Sequence, residues 1–455
     1  MPNVCRLKKL VSAARPEKKP PTTAPRFLAA LKQIAPHEQY ALAVSGGRDS
    51  MALVALAAAA QKKPNAPKFH VVSVDHGLRK EARQEMRLVA ETCRRVGLPH
   101  KVLRGDTPLG AGGIQQAARE LRYRLMAGWC AKRKIPALIV AHHQRDQAET
   151  LLMRLARGSG VDGLSGMAPV QKLETAAGDL QILRPFLETD PALLAGIVRR
   201  AKFDWVEDPS NMDDQFERVR WRQAENMLDG LGLRARALAR TAANMRQMRD
   251  YLEAQVTDWL QAHGGYHFCG FYSLDKAAFL GLPALLRLRV LRHVIARMGP
   301  VKFAPPETSL THATALIAAR GSGGHTLGGC IIRWRANEIM IGREVAALNA
   351  LPPVPLARGG SVWDRRFFVE IREGKKAKTG LFAAPLGGEG LGRLERAGLQ
   401  VPKAVPRCYL HVLPAVFDAD GLVSCPVLAE QNRVNMVPWQ PETPYLPEIN
   451  GKAGW

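Results

Sequence analysis

The sequence predicts an α/β fold: a Rossmann-like, doubly wound parallel sheet followed by a helical middle domain and a small β-rich C-terminal domain. Three observations carry this expectation. Between Glu38 and about Trp221, short apolar runs alternate with longer amphipathic ones. That alternation reads as right-handed βαβ crossovers, a mostly parallel sheet covered by helices. From Arg222 to about Met298, apolar residues recur instead at helical spacing. The last hundred or so residues mix short strand-like runs with Gly and Pro.

In chain order, the opening stretch to about residue 37 is basic, Pro-rich and nearly free of acids. It reads as a disordered basic tail, and an organelle-targeting segment would have a similar composition. Residues 38–222 form the expected catalytic domain. Its strands are "ALAVS", "FHVVSVD", "HKVLRG", "ALIVA" and "LQILRPF", and in such sheets ligands bind beyond the C-terminal strand ends. Residues 223–345 read as a helical linker and middle domain, ending in two strands around a polar turn at Ala336-Asn337. Residues 346–455 read as the C-terminal mixed, β-rich domain; they open on the Pro- and Gly-rich linker "LNALPPVPLARGG", with "WDRRFFVEI" and "PAVFDADGLVSCPV" as strand-bearing segments.

Composition narrows the function classes. The 455-residue chain is 46% hydrophobic, enough for several cores, yet about 18 consecutive apolar residues occur nowhere, which excludes a simple membrane-spanning helix. Seven dispersed cysteines, none in a C-x-x-C pair, read as reduced thiols in the cytoplasm and argue against a zinc ribbon or cysteine-held cluster. His142-His143 lacks a usual metal-ligand spacing. The formal charge of +24 points to a polyanion partner.

The most informative string is "ALAVSGGRDS", where a strand gives way to glycines and then a helix. Gly46 and Gly47 let the backbone approach a ligand closely. Consecutive N–H groups there, backed by a helix N-terminus, form an anion cradle. Ser45 and Ser50 can donate to phosphate oxygens, and Arg48 lies between them. Asp49 is out of place beside phosphates unless a cation such as Mg2+ accompanies them. A tight turn with Asp49 as a helix cap is the bland reading. The string is neither G-x-x-x-x-G-K-[ST] nor G-x-G-x-x-G. It resembles the pyrophosphatase loop of the ATP pyrophosphatase (PP-loop) superfamily, which implies ATP as co-substrate.

Downstream strings narrow the resemblance. "VDHGLR" puts Asp75 and His76 at a strand end. "QQAARELRY" puts Arg119 and Arg122 on a helix. "AHHQRDQAETLLMRLARGSGVDGLSGM" puts Asp146 and Glu149 about one helical turn apart, with Arg157 after them. "RPF" and "DPSNMDDQFERVR" complete the series, the latter containing Arg218. In this order the set resembles the tRNA(Ile)-lysidine synthetases. The resemblance implies activation by ATP of C2 of the wobble cytidine in the CAU-anticodon isoleucine tRNA. Lysine then joins C2 through its side-chain amine. It assigns Asp49 to catalysis and Mg2+ binding, with His142 and Arg218 as catalytic candidates. Ser45, Gly46, Gly47, Arg48, Asp49, Ser50, Asp75 and His76 would bind ATP. Asp146 and Glu149 would bind L-lysine, and Arg119, Arg122, Arg157 and Arg222 would bind tRNA. The partners are then tRNA and lysine, without a membrane, and a homodimer is compatible with this reading. A tRNA thiolase of the same superfamily and a catalytically silent RNA-binding protein are the alternatives.

Overall fold

The computed structural model describes residues 20–75, 82–105, 114–175, 178–207, 220–221, 223–300, 305–319, 321–348, 352–356, 361–371, 380–428 and 434–438. The chain divides into two compact units, with the division at Arg249 and Asp250.

The first unit opens with α1 (Ala24–Ile34), β1 (Gln39–Ala43), α2 (Arg48–Ala60), β2 (Lys68–Asp75), α3 (Ala82–Val96) and β3 (His100–Arg104). It continues with α4 (Ile114–Lys132), β4 (Ala137–Ile139), α5 (Gln144–Leu155), α6 (Val161–Leu164), β5 (Val170–Thr175) and β6 (Gly178–Leu183). Then come α7 (Pro191–Arg200), α8 (Glu225–Gly230) and α9 (Ala235–His263), within which the division between units falls. The sheet order is β3-β2-β1-β4-β6-β5. Every pairing is parallel except the edge pair β5–β6. The five expected strands are all present. The antiparallel edge β5 was not expected, because its "VQKLET" alternates weakly and faces partly to solvent.

Each central strand is buried on both faces, as a sheet between helical layers requires. In β1, Leu42 belongs to one core with Phe27, Met51, Val71, Ile139 and Val198, while Ala41 belongs to the opposite one with Val72, Met126, Cys130 and Leu138. Helix α2 is apolar around nearly its whole circumference and buried to match.

Helix α1 corrects the expected tail. The expectation of a disordered segment through residue 37 fails over Ala24–Ile34, because Phe27 and Leu31, at i and i+4, are fully buried. Phe27 stacks between Phe69 and Phe186, with ring centroids 6.0 Å away on both sides. Residues 1–19 lie outside the described residues.

The second unit has a five-stranded antiparallel sheet, ordered β7-β8-β11-β10-β9. It comprises β7 (Gly264–His267), β8 (Phe271–Asp275), α10 (Lys276–Gly281), α11 (Ala284–Met298), α12 (Glu307–Ala319), β9 (Gly323–Leu327), β10 (Cys330–Trp334) and β11 (Glu338–Arg343). The expected hairpin around Ala336-Asn337 is β10–β11. The middle region is therefore less helical than expected, since β7 and β8 interrupt it.

Beyond it lie β12 (Val354–Pro355), β13 (Ser361–Trp363), β14 (Phe367–Ile371), β15 (Phe382–Pro385), α13 (Gly387–Arg396), α14 (Arg407–Leu410), β16 (Pro414–Asp418), β17 (Gly421–Ser424) and β18 (Val434–Pro438). The boundary expected at residue 345 separates the two cores of this unit only in part, since the first core lies wholly before it but the second reaches back across it. Phe271 and Met340 share the second with Trp363, Phe367, Tyr409 and Val412. The segment "WDRRFFVEI" is a hairpin rather than one strand, with Asp364 (φ +47°) and Arg365 (φ +58°) both left-handed at its turn.

Candidate active site

Two loops meet where the strand order reverses. From β1 the chain moves to β2 on one side, whereas β4 lies on the other. A crevice opens beyond the carboxyl ends of β1 and β4, the position where open α/β sheets bind ligands.

The first loop is Ser45-Gly46-Gly47. Gly46 has φ +91°, a conformation any side chain would strain. The turn is tied internally. The Ser50 hydroxyl donates to the Gly47 carbonyl (2.8 Å), and the Ser45 N–H donates to the Ser50 Oγ (3.2 Å). From outside, the Val206 N–H donates to the Gly46 carbonyl (3.0 Å), so the segment after α7 is pinned beside the loop. Gly47 is the N-cap of α2 and no side chain caps it. The first N–H groups of α2 and its positive dipole end are thus left for an anion.

The second loop follows β4. His143 is the N-cap of α5, and its N–H donates to Asp146 Oδ2 (2.8 Å). Its ring lies between two carboxylates: Nε2 is 3.4 Å from Asp49 Oδ2 and Nδ1 is 3.4 Å from Asp146 Oδ2. Burial alone would lower its pKa. The hydrogen bond the imidazole donates to Asp49 and the charges of Asp146, Asp49 and Glu149 outweigh burial, and the pKa is raised above the ordinary histidine value. Asp49 Oδ1 is buried without a hydrogen-bond partner, 3.5 Å from Arg48 Nε. A carboxylate oxygen without a hydrogen bond, beside the uncapped start of α2, is a donor suited to a hard cation. Among the described residues no group of three or more His, Cys, Asp or Glu could hold a metal ion.

Glu149 is 4% exposed and lies on α5 one turn beyond Asp146. It borders a half-open surface depression whose walls include Leu152, Trp221, Leu228 and Leu238, with Arg145, Glu225 and Asp229 as its other charged residues.

The structure thus joins Ser45, Gly46, Gly47, Arg48, Asp49, Ser50 and Asp146, with Glu149 on the same helix as Asp146. Asp75 ends β2, 3.9 Å from Arg104 Nε. His142 accepts from Arg184 Nε at 3.3 Å. Arg119 lies over the Tyr123 ring at 5.0 Å, Arg122 is half-buried on α4, and Arg157 is exposed beyond α5. His76, Arg218 and Arg222 fall outside the described residues.

Sequence reasoning missed His143 and Arg184. It favoured the first histidine of the pair, whereas the second occupies the N-cap, where the chain turns back toward the crevice. A capping reading of His143 with Asp146 three residues on would have found it. Arg184 is 4% exposed; besides His142 it donates to the Ala168 carbonyl (2.9 Å) and to Gln171 Oε1. Only its place in "RPF" hinted at it.

A glycine turn at a switch point, an uncapped helix behind it and a carboxylate inside it define a PP-loop nucleotide site. Accordingly, the PP-loop domain family matches residues 21–226, and the chain is of the ATP-using class. The chain is also 34% identical to the tRNA(Ile)-lysidine synthase of Ruegeria pomeroyi over 401 residues, covering 87% of this chain and 90% of that one. It is 35% identical to that of Bradyrhizobium sp. (strain BTAi1), covering 69% and 90% respectively. With that of Anaplasma marginale it shares 30% identity over 88% of this chain and 86% of the relative. The chain belongs to the tRNA(Ile)-lysidine synthase family.

Proposed function

We propose that this chain joins L-lysine to C2 of the wobble cytidine in the CAU-anticodon isoleucine tRNA. ATP first adenylates the C2 oxygen and releases pyrophosphate. The lysine side-chain amine then attacks C2, and AMP leaves with that oxygen. The observation that carries this reading is the meeting of the phosphate loop with the acidic start of α5, with Asp49 and His143 in contact across the crevice.

Each half-reaction finds chemistry in the site. The loop N–H groups and the α2 N-terminus hold the nucleotide phosphates, and Ser45 and Ser50 add hydroxyl donors. The orphaned oxygen of Asp49 fits Mg2+, which when bound would offset phosphate charge during adenylation. His143 orients the Asp49 carboxylate toward the loop and spreads its negative charge. Asp146 holds the His143 backbone, so the acid at the head of α5 serves the loop rather than an amine. Glu149 is the acid this reading assigns to the lysine ammonium, beside apolar walls that suit the methylene stem. The amine must shed a proton before it attacks, since its ordinary pKa is about 10.4. The cytidine reaches the crevice without duplex opening, because an anticodon loop is single-stranded. The net charge of +24 supports binding of a polyanion the size of a tRNA.

A thiolase needs an accessible cysteine pair. Cys93 and Cys130 are buried, with thiol pKa values pushed up to about 12 by burial, which speaks against sulfur transfer.

Glu149→Gln tests the lysine assignment. The variant should release pyrophosphate from ATP with tRNA, accumulate adenylated tRNA and need roughly 10- to 150-fold more lysine, the cost of one charge-assisted hydrogen bond. Loss of pyrophosphate release with an unchanged lysine requirement would remove Glu149 from that role. Mass spectrometry of the wobble nucleoside after reaction with tRNA, ATP and lysine checks the product. No pyrophosphate release by the parent enzyme would leave the silent RNA-binding reading.

A further inference from the structure

The pocket beside Glu149 already contains a cation. Arg145 lies one turn earlier on α5, with Nε 4.0 Å from Glu149 Oε1, at the outer limit of an ion pair. Its terminal Nη2 is instead tightly paired with Glu225 Oε2 on α8. The two partners differ in exposure: the Glu149 side chain is 5% exposed, Glu225 36% and Arg145 32%. The guanidinium therefore sits toward the mouth of the pocket, drawn by the outer acid, while the inner acid lies deeper. Arg145, Glu149 and Glu225 line the same cavity as Leu152, Trp221 and Leu228.

We infer that Glu225 is a positioning residue for the amine substrate: it draws Arg145 toward the pocket mouth and so keeps the guanidinium from closing onto Glu149. This inference rests on Glu149 as the lysine-binding acid and deepens it by naming what competes there. A guanidinium and an ammonium seek the same carboxylate, and Arg145 is tethered four residues away, at high local concentration. If the two acids competed for it on equal terms, the buried one would gain more, since a charge pair strengthens as solvent is excluded. The close Arg145–Glu225 pair offsets that preference. Lysine then enters past the guanidinium, lays its stem on the apolar wall and places its ammonium on Glu149. Glu225 and Arg145 act through Glu149 and touch no reacting atom.

The test is lysine KM against ATP KM in the full-length enzyme with tRNA. Glu225→Gln releases Arg145, and lysine KM should rise roughly threefold to tenfold while ATP KM stays put. Arg145→Gln removes the competing cation, and lysine KM should equal the parent value or fall below it. The double variant Arg145→Gln/Glu225→Gln should return to the level of Arg145→Gln, a rescue that a merely structural Glu225 cannot produce. An unchanged lysine KM in Glu225→Gln overturns the inference, as does failure of the double variant to rescue it. A raised lysine KM in Arg145→Gln also overturns it, by assigning Arg145 to the lysine carboxylate. Glu149→Gln, run alongside, separates the two levels. If that variant leaves lysine KM unchanged, the lysine assignment of Glu149 fails. If it raises lysine KM while Glu225→Gln does not, only the positioning role fails.

Discussion

At the residue scale, Asp49 is the most demanding position in the molecule. It places a carboxylate at the N-terminus of a helix, which is favourable, yet also within a cradle built for phosphates, which is not. The contact with His143 and the ion pair with Arg48 reconcile the two: Oδ2 faces the imidazole and Oδ1 lies 3.5 Å from the Arg48 guanidinium, the oxygen that Mg2+ would join in the proposed reaction. Asp49→Asn keeps the size and the helix start but loses the charge. The variant should fold with parent-like circular dichroism and lose pyrophosphate release about 100-fold or more, the scale of removing one electrostatic contact from a reacting centre. Near-parent release by the folded variant would refute a metal-binding role. The same residue shows how much of the site was legible. Asp49 and the glycines stand in a short contiguous string whose chemistry is local. His143 meets Asp49 from 94 positions away, so no spacing rule could pair them.

At the element scale, α1 shows what local composition hides. Thr23 and Pro25 mark a helix start, but the surrounding stretch is basic and Pro-rich, and a short helix alone is marginal in water. Its stability comes from Phe27 and Leu31, which find Phe69 and Phe186 in the core. Phe27→Ala should therefore destabilise the first unit by about 3–5 kcal/mol. Denaturant titration, followed by a probe of that unit, checks this. A change below about 1 kcal/mol would return the segment to the status of a tail. Strand β5 makes the same point at the sheet edge. It exists because β6 offers an open edge, and its own sequence barely declares it.

At the scale of the whole chain, the second unit is held together by charges where a linker was expected. Asp364 accepts from Arg343 Nε (2.9 Å) and Nη2 (2.8 Å) and from Arg366 Nε (2.7 Å), and all three side chains are at most 3% exposed. Arg366 also donates to the carbonyls of Gly270 (3.1 Å) and Val412 (2.8 Å). Burial lowers the Arg366 pKa and the Asp364 charge opposes that shift. One carboxylate thus joins β11, the β13–β14 turn, the β7–β8 turn and the segment before β16. Asp364→Ala would leave two buried guanidiniums without their anion, at a cost of about 3–5 kcal/mol. It should melt the five-stranded sheet and the C-terminal strands in one transition. If hydrogen exchange shows only the C-terminal strands opening, the clasp does not couple them.

The sequence by itself determined the order of strands and helices in the first unit, the phosphate loop and the family resemblance. Each of these rests on neighbours in the chain: period, turn chemistry, and a glycine before a helix. Only the tertiary structure decided which histidine faces Asp49, which acid holds the His143 backbone and which borders the pocket, that Arg145 is held by Glu225, and that residues on both sides of 345 share a core. The reason is physical. A side chain's direction at a helix cap and the partner of a buried charge depend on elements far along the chain. Local spacing constrains backbone conformation, whereas burial and charge pairing are settled by whatever the rest of the fold brings alongside.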